Sequence, residues 1–353
     1  MNNKTTIITG EKNWIEHTAI SQLDALAKLK GAIKVVGLPD LHAGKTPVGL
    51  ALVTENWIYP HIIGNDIGCG MSLYDCNIER RKMKLDRWTT KLNSIRELSC
   101  IETVNPYDEP SPIYDLGTIG SGNHFAEFQF IHEIMDSEQA AALNLTTNSV
   151  YMLIHSGSRG YGHSIVSQFP EIGYQGDQAA EYIEKQNDAL LWAERNRDVV
   201  ADKLLSYLGY TPALRKIIDC NHNFLEQRGG VFIHRKGAVS SEIGAVVIAG
   251  TRGSLTYIVK PSDNLEKTAF SVSHGAGRKW PRIQCKSRIR EKYDRDSIRS
   301  NKYNGRVVCH DTNLLYEEAP EAYKNIDTVI RALEQHGLIT VVATLKPLLT
   351  YKG

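Results

Sequence analysis

The sequence predicts an α+β fold, on three observations. Short apolar runs bounded by glycine-rich turns recur through both halves of the chain. One long helical pattern runs from about Gln178 to Leu208. No Pro/Ser-rich linker, internal repeat or low-complexity tract divides the 353 residues, so a single domain over 1–353 with helical insertions is expected.

In chain order, residues 32–38, 50–53 and 71–75 read as strands. Residues 151–155 form another, ending in the polar turn 156–160. In the helical region, Ala180, Ile183, Leu190, Leu191, Val199, Leu204 and Leu205 follow a helical spacing loosely. Strands return at 230–234, 245–249 and 255–259. A helix at 326–335 and a strand at 339–343 close the chain.

Bulk properties narrow the function. An apolar fraction of 42% and a charged fraction of 23% are ordinary globular values, so large-scale disorder is not expected. No run of eighteen apolar residues exists, and the opening MNNKTTIITG lacks the apolar core of a secretory signal. The net charge of +1 excludes a general polyanion coat but not a local patch. From Arg278 to Lys302 ten basic residues face three acidic ones, which fits either a solvated face or a nucleic-acid contact. The six cysteines show no paired spacing, which points to a reducing, cytoplasmic compartment and mostly buried thiols.

Cys69 stands apart. In Asp66-Ile67-Gly68-Cys69-Gly70 a carboxylate and a thiol lie three residues apart between glycines, where they can converge on one cation. A thiolate has a second lone pair and can bridge two metals. Read alone, the segment also fits a buried Cys in a tight turn. The loop Gly117 to Glu127 places glycines before Asn123 and His124, a design that lets a nucleotide approach the backbone, and it is not a Walker loop. His155, His222 and His274 sit in similar Gly-rich or polar turns at strand ends. Imidazole, carboxylate and one sulfur suit Mn²⁺, Zn²⁺ or Fe²⁺. His274, beside small residues and Arg278, has room for a phosphate and is the candidate nucleophile at phosphorus.

The ordered set PDLHAG, DIGCG, GTIGSGNHFAE, HSGSRGYGH, HRKGA, SHGAGR, EAPEAYK and a terminal KG resembles the RtcB ligase family, from Pro39 to Gly353. The resemblance implies a single RtcB-like domain with mixed sheets around a dinuclear metal centre. It implies one Mn²⁺ on Asp66, Cys69 and His124, and a second on Cys69, His155 and His222. It implies guanylylation of His274 by GTP and a guanosine pocket built from Asn123, His124, Phe125, Ala126, Glu127, His222, Asn223, Ala249, Gly250, Thr251, Arg252, Thr256, His274, Gly275, Ala276, Gly277 and Lys352. Glu127 and Lys352 are expected at the base. The implied reaction joins an RNA 3′-phosphate, or a 2′,3′-cyclic phosphate once opened, to a 5′-hydroxyl through an RNA-(3′)pp(5′)G end. Arg159, Arg235, Lys236 and Arg278 are candidate RNA-phosphate contacts. His42 and His163 are expected around the metals or on the RNA side, and His17, His61, His132, His310 and His336 in structural or surface positions.

Some positions depart from the family pattern. Asn65 precedes DIGCG where an aromatic residue is usual, the family's PGSMGT turn reads Ala249 to Ser254, and its MSR reads Lys279-Trp280-Pro281-Arg282. None removes a metal ligand or the nucleophile. The chain resembles the shorter bacterial branch, whose members often neighbour a release-factor-like protein, which suggests RNA repair rather than tRNA splicing. A release-factor-like or archease-type activator is a candidate partner. Competing expectations are a GMP-capping enzyme for DNA 3′-phosphates, a dinuclear phosphatase or cyclic phosphodiesterase with no use for His274, and a non-catalytic RNA-binding protein.

Overall fold

A computed structural model describes residues 4–101, 116–211, 213–263, 265–294 and 296–353. Two sheets are stacked face to face, with helices on both outer surfaces. The larger sheet runs in spatial order Val246–Ile248, Thr256–Pro261, Ile339–Lys352, Phe125–Ile134, Ser149–Ser156, Gly70–Glu79 and Arg215–Asn221. These neighbours are antiparallel, and Arg306–Cys309 adds parallel to Ile339–Lys352. The smaller sheet has the order Thr5–Ile7, Ala32–His42, Val48–Glu55, Val231–Lys236 and Asn223–Arg228, with the first pair parallel.

Strand alternation sorts the side chains into layers. Leu73, Leu153 and Ile218 of the larger sheet pack with Val36, Ala51 and Ile233 of the smaller one between the sheets. Their chain neighbours Tyr74, Met152 and Ile154 join the outer core, against Val200 and Leu204 of helix Gly176–Leu208 and Trp88 of helix Leu85–Asn93. On the far side, Val35, Leu50 and Leu52 pack on Ala19 and Leu23 of helix His17–Leu26. Each fully buried aliphatic side chain contributes about 1.5–3 kcal/mol, so the two sheets are clamped by apolar burial on every face.

The mixed helix-and-sheet class matches the expectation. The long helix starts two residues earlier than expected and ends at Gly209 in a left-handed cap (φ 91°). The last strand runs on to Lys352, because Pro347 falls at a register shift, where a residue without an N–H is tolerated. Strands Phe125–Ile134, Arg215–Asn221 and Asn223–Arg228 escaped the sequence reading. In the first of these, buried Glu127 and Gln129 interrupt the apolar pattern. No helix among the described residues is long and apolar enough to cross a membrane.

Candidate functional site

The register of the larger sheet aligns the ends of its strands. Gly70 pairs with Ser156 on one side and Asn221 on the other, and Phe125 pairs with His155. Cys69, His155, His222 and His124 therefore come to one edge. His222 lies between strand Arg215–Asn221 of the larger sheet and strand Asn223–Arg228 of the smaller. Its N–H donates to the Cys69 carbonyl at 2.8 Å, fixing the crossover beside the Cys69 turn.

The side chains form two donor groups that share one sulfur. Cys69, His155 and His222 converge, as do Asp66, Cys69 and His124, each set with its ligand atoms within 4.8 Å of one another. Cys69 Sγ lies 3.2 Å from His124 Nε2 and 3.3 Å from His155 Nε2. His155 Nε2 lies 3.3 Å from His222 Nε2, and His124 Nε2 lies 2.9 Å from Asp66 Oδ2. Burial pushes the Cys69 thiol well up, with the Asp66 charge adding to it. Burial also holds His155 and His222 well below the ordinary imidazole range. Neutral imidazoles crowded nitrogen to nitrogen are arranged as ligands, and such a donor set fits divalent first-row cations. Burial raises Asp66, but His124 and Arg159 outweigh it and hold its carboxyl well below the usual range.

Buried residues of the long helix hold this edge in place. Arg197 donates to the carbonyls of Gly68 (3.0 Å) and Ser156 (3.1 Å), to Ser72 Oγ, and to Asp219 at 2.6 Å. Asn196 accepts from the N–H groups of Gly117 and Thr118 at 2.8 and 3.0 Å. Arg159 adopts a left-handed backbone (φ 56°), a strain of about 1–3 kcal/mol for a non-glycine residue. That conformation lets its N–H donate to Asp66 Oδ1 (3.0 Å) while its guanidinium donates to His124 Nδ1 (3.0 Å).

A cavity of about 640 Å³ opens over both donor groups, and His274 is part of its wall. His274 donates from Nδ1 to Asp40 Oδ2 at 2.7 Å, and its backbone N–H points to the same oxygen at 3.3 Å. Nε2 is left as the ring's other nitrogen. The ring centroid lies 4.6 Å from that of His222. Gly277 (φ 71°) is required just beyond, since a Cβ there would strike the Asp40 carbonyl.

Of the expected guanosine-pocket residues, Asn123, Phe125, Glu127, Asn223, Ala249 to Arg252, Gly275 to Gly277 and Lys352 line this cavity with the histidines. Glu127 accepts from Gln129 at 2.7 Å and from Thr350 at 2.5 Å. Burial raises its carboxyl to about 7. Burial lowers the Lys352 ammonium to about 8, and it donates to the His124 carbonyl at 2.9 Å.

Several expectations are corrected. Ala126 points to the opposite face of its strand and packs in the outer core with Phe128. Thr256 is two hydrogen bonds removed from the cavity, accepting at 3.0 Å from Gln129, which also donates to the cavity residue Glu127. Arg235 does not line the cavity: it is fully buried and ion-paired with Glu226, with further bonds to Ser271 Oγ and the Phe270 carbonyl. Arg278 reaches the cavity rim, but its guanidinium is engaged by Glu318, Tyr323, Cys285 and the carbonyls of Trp280 and Glu317. Lys236 does face the cavity, held by the Ile63 carbonyl at 2.7 Å. His42 lines it too, while His163, like His17, His132 and His310, is exposed.

Sequence reasoning missed Asp40, Glu318 and Lys324. Lys324 donates to the carbonyls of Pro39 (3.2 Å) and Leu41 (2.6 Å), on either side of Asp40. All three lie in segments already singled out, PDLHAG and EAPEAYK. The motifs marked the places without showing the partners.

Comparison with known proteins agrees with this geometry. The family model described as tRNA-splicing ligase RtcB matches residues 22–105 and 88–353. The chain is 39% identical to the RNA-splicing ligase RtcB2 of Escherichia coli ATCC 25922, over 98% of this chain and 95% of that protein. It is 28% identical to the RNA-splicing ligase RtcB of Escherichia coli K12, over 96% and 95% of the two chains. Identity to the tRNA-splicing ligase RtcB of Archaeoglobus fulgidus is 26%, over 96% and 92%. With the family model covering nearly the whole chain and its motif residues gathered around one cavity, this protein belongs to the RtcB family.

Proposed function

We propose that this chain is a GTP- and Mn²⁺-dependent RNA ligase that joins 3′-phosphate or 2′,3′-cyclic phosphate ends to 5′-hydroxyl ends, acting in RNA repair in the cytoplasm. The observation that carries the reading is the placement of a carboxylate-oriented histidine, His274, in the same cavity as two donor groups sharing Cys69. A phosphatase or cyclic phosphodiesterase would have no use for a histidine oriented in this way. Asp66, Cys69 and His124 would hold one Mn²⁺ and Cys69, His155 and His222 the other, supplying charge neutralisation at phosphoryl oxygens.

The residues then divide the work. Asp40 accepts the Nδ1 proton of His274 and leaves the Nε2 lone pair to attack the α-phosphorus of GTP, expelling pyrophosphate. The negative charge of Asp40 stabilises the cationic ring that results. An oxygen of the RNA 3′-phosphate attacks the same phosphorus, freeing His274 and producing the RNA-(3′)pp(5′)G end. The 5′-hydroxyl oxygen attacks the 3′-phosphorus and GMP leaves, which makes a poor electrophile reactive. Glu127, once it has lost its proton above about pH 7, can accept from the guanine N–H groups, with Lys352 beside it and glycine-rich backbone at 249–253 and 275–277 to admit the phosphates. Lys236 serves the RNA phosphate from the cavity side, while Arg159 orients His124 and Asp66 from outside the cavity wall. The whole chain acts as one ligase unit, and a release-factor-like or archease-type protein is a candidate activator.

Incubation with α-³²P-GTP and Mn²⁺ tests the reading. Protein label stable to alkali, lost in acid and absent in His274→Ala is expected. Metal-loaded wild-type protein that takes up no label and instead hydrolyses the phosphate would overturn it.

A further inference from the structure

One rim of the cavity is strongly basic. Helix Arg282–Arg290, sequence RIQCKSRIR, carries four cations and no acid in nine residues. Cys285 and Ile289, four positions apart, are buried and anchor its inner face. Ile283, Gln284, Ser287, Arg288 and Arg290 are exposed on its outer side, with Ile283 90% exposed, and Lys286 is half-buried at the edge of that side. Lys279, Trp280 and Pro281, just before the helix, and its first residue Arg282 line the cavity itself. The N–H groups of Lys279 and Trp280 both donate to the Ala322 carbonyl, at 2.7 and 3.2 Å, so the segment is pinned. The Lys279 and Arg288 cations lie 5.3 and 5.1 Å from the centroid of a Trp280 ring. Glu318 meets Arg278 and Arg282 at this rim.

We propose that Trp280 and helix Arg282–Arg290 are the landing surface for the single-stranded polynucleotide that brings its phosphate end to His274. The Trp280 ring stacks on a base near that end, and Lys286, Arg288 and Arg290 follow the backbone outward. An aromatic ring amid cations is the combination that binds single strands without reading sequence. The alternative occupant, an acidic protein, would match the cations but would give no reason for an indole inside the cavity that holds the nucleophile. This inference rests on the ligase reading, because it needs a phosphate end to be delivered.

The test is the binding of a fluorescent single-stranded RNA with a 3′-phosphate, without GTP, across a salt series. Replacing Lys286, Arg288 and Arg290 together with Ala should reduce the slope of log affinity against log salt by about 2, at roughly 0.7 for each phosphate no longer neutralised. Trp280→Ala should weaken binding about tenfold at every salt with its slope unchanged, and Trp280→Phe should keep most of the affinity. Wild-type affinity and slope in the triple variant and in Trp280→Phe and Trp280→Ala alike would overturn the surface. GMP labelling of the wild-type protein is measured in parallel. Labelled wild type with undiminished RNA binding in the variants removes the surface alone. Unlabelled wild type whose variants still lose RNA affinity removes the ligase reading and supports the surface.

Discussion

Replacing Asp40 with Asn removes the charge behind the nucleophile while keeping its shape. Asp40 is fully buried and accepts from His274 Nδ1 at 2.7 Å. Burial pushes its carboxyl up, but its hydrogen bond and electrostatic interaction with His274 outweigh burial and hold it below the ordinary value. It is thus a carboxylate at neutral pH. The amide can still accept from Nδ1, so the ring keeps its place. What is lost is the difference between a charge-assisted and a neutral hydrogen bond, about 1–2 kcal/mol. That difference grows in the transition state, when the ring becomes cationic. The single-turnover rate of protein labelling at saturating GTP should therefore fall by at least about 5- to 30-fold. Asp40→Ala, which also opens a void beside the ring, should fall further. GTP affinity should be unchanged, because Asp40 is held behind His274. Labelling of Asp40→Asn at the wild-type rate, or a loss confined to GTP affinity, would refute the reasoning.

Three other outcomes follow from the geometry. Cys69→Ser removes the sulfur common to both donor groups, so elemental analysis should find the Mn²⁺ content reduced from two per chain to one or none; two ions retained would exclude a bridging role. Glu127 is raised to about 7 by burial, so the folded protein holds its proton where the unfolded chain has lost it. Its contribution to stability is complete below about 4.5 and is lost as pH rises through 7. Glu127→Gln should consequently gain up to about 3 kcal/mol over wild type above pH 7 and little below 4.5, and a pH-independent difference in urea unfolding would contradict this. Arg197→Ala leaves Asp219 unpaired and frees the carbonyls of Gly68 and Ser156, so about 3–5 kcal/mol of stability should be lost. A change below about 1 kcal/mol in denaturant titration would show that the strand ends are held by other means.

Much of the site could be read from the sequence, because its chemistry is written locally. Asp66 and Cys69 are three residues apart in a glycine turn, and His124, His155, His222 and His274 each sit where a strand meets a polar loop. The helix Ile326–Gln335 was legible to the residue from its apolar spacing. Tertiary structure decided the partnerships. His155 and His222 are 67 positions apart, and Asp40 and His274 are 234 apart. No local spacing encodes those distances; sheet register and the crossover at His222 do. The same holds for the arginines. Arg159, Arg235 and Arg278 all looked like phosphate binders, yet Arg235 and Arg278 are matched by Glu226 and Glu318. A motif supplies the residue type and the backbone shape. The strand face it falls on, and the residue packed opposite, determine whether a charge meets the substrate or another part of the fold.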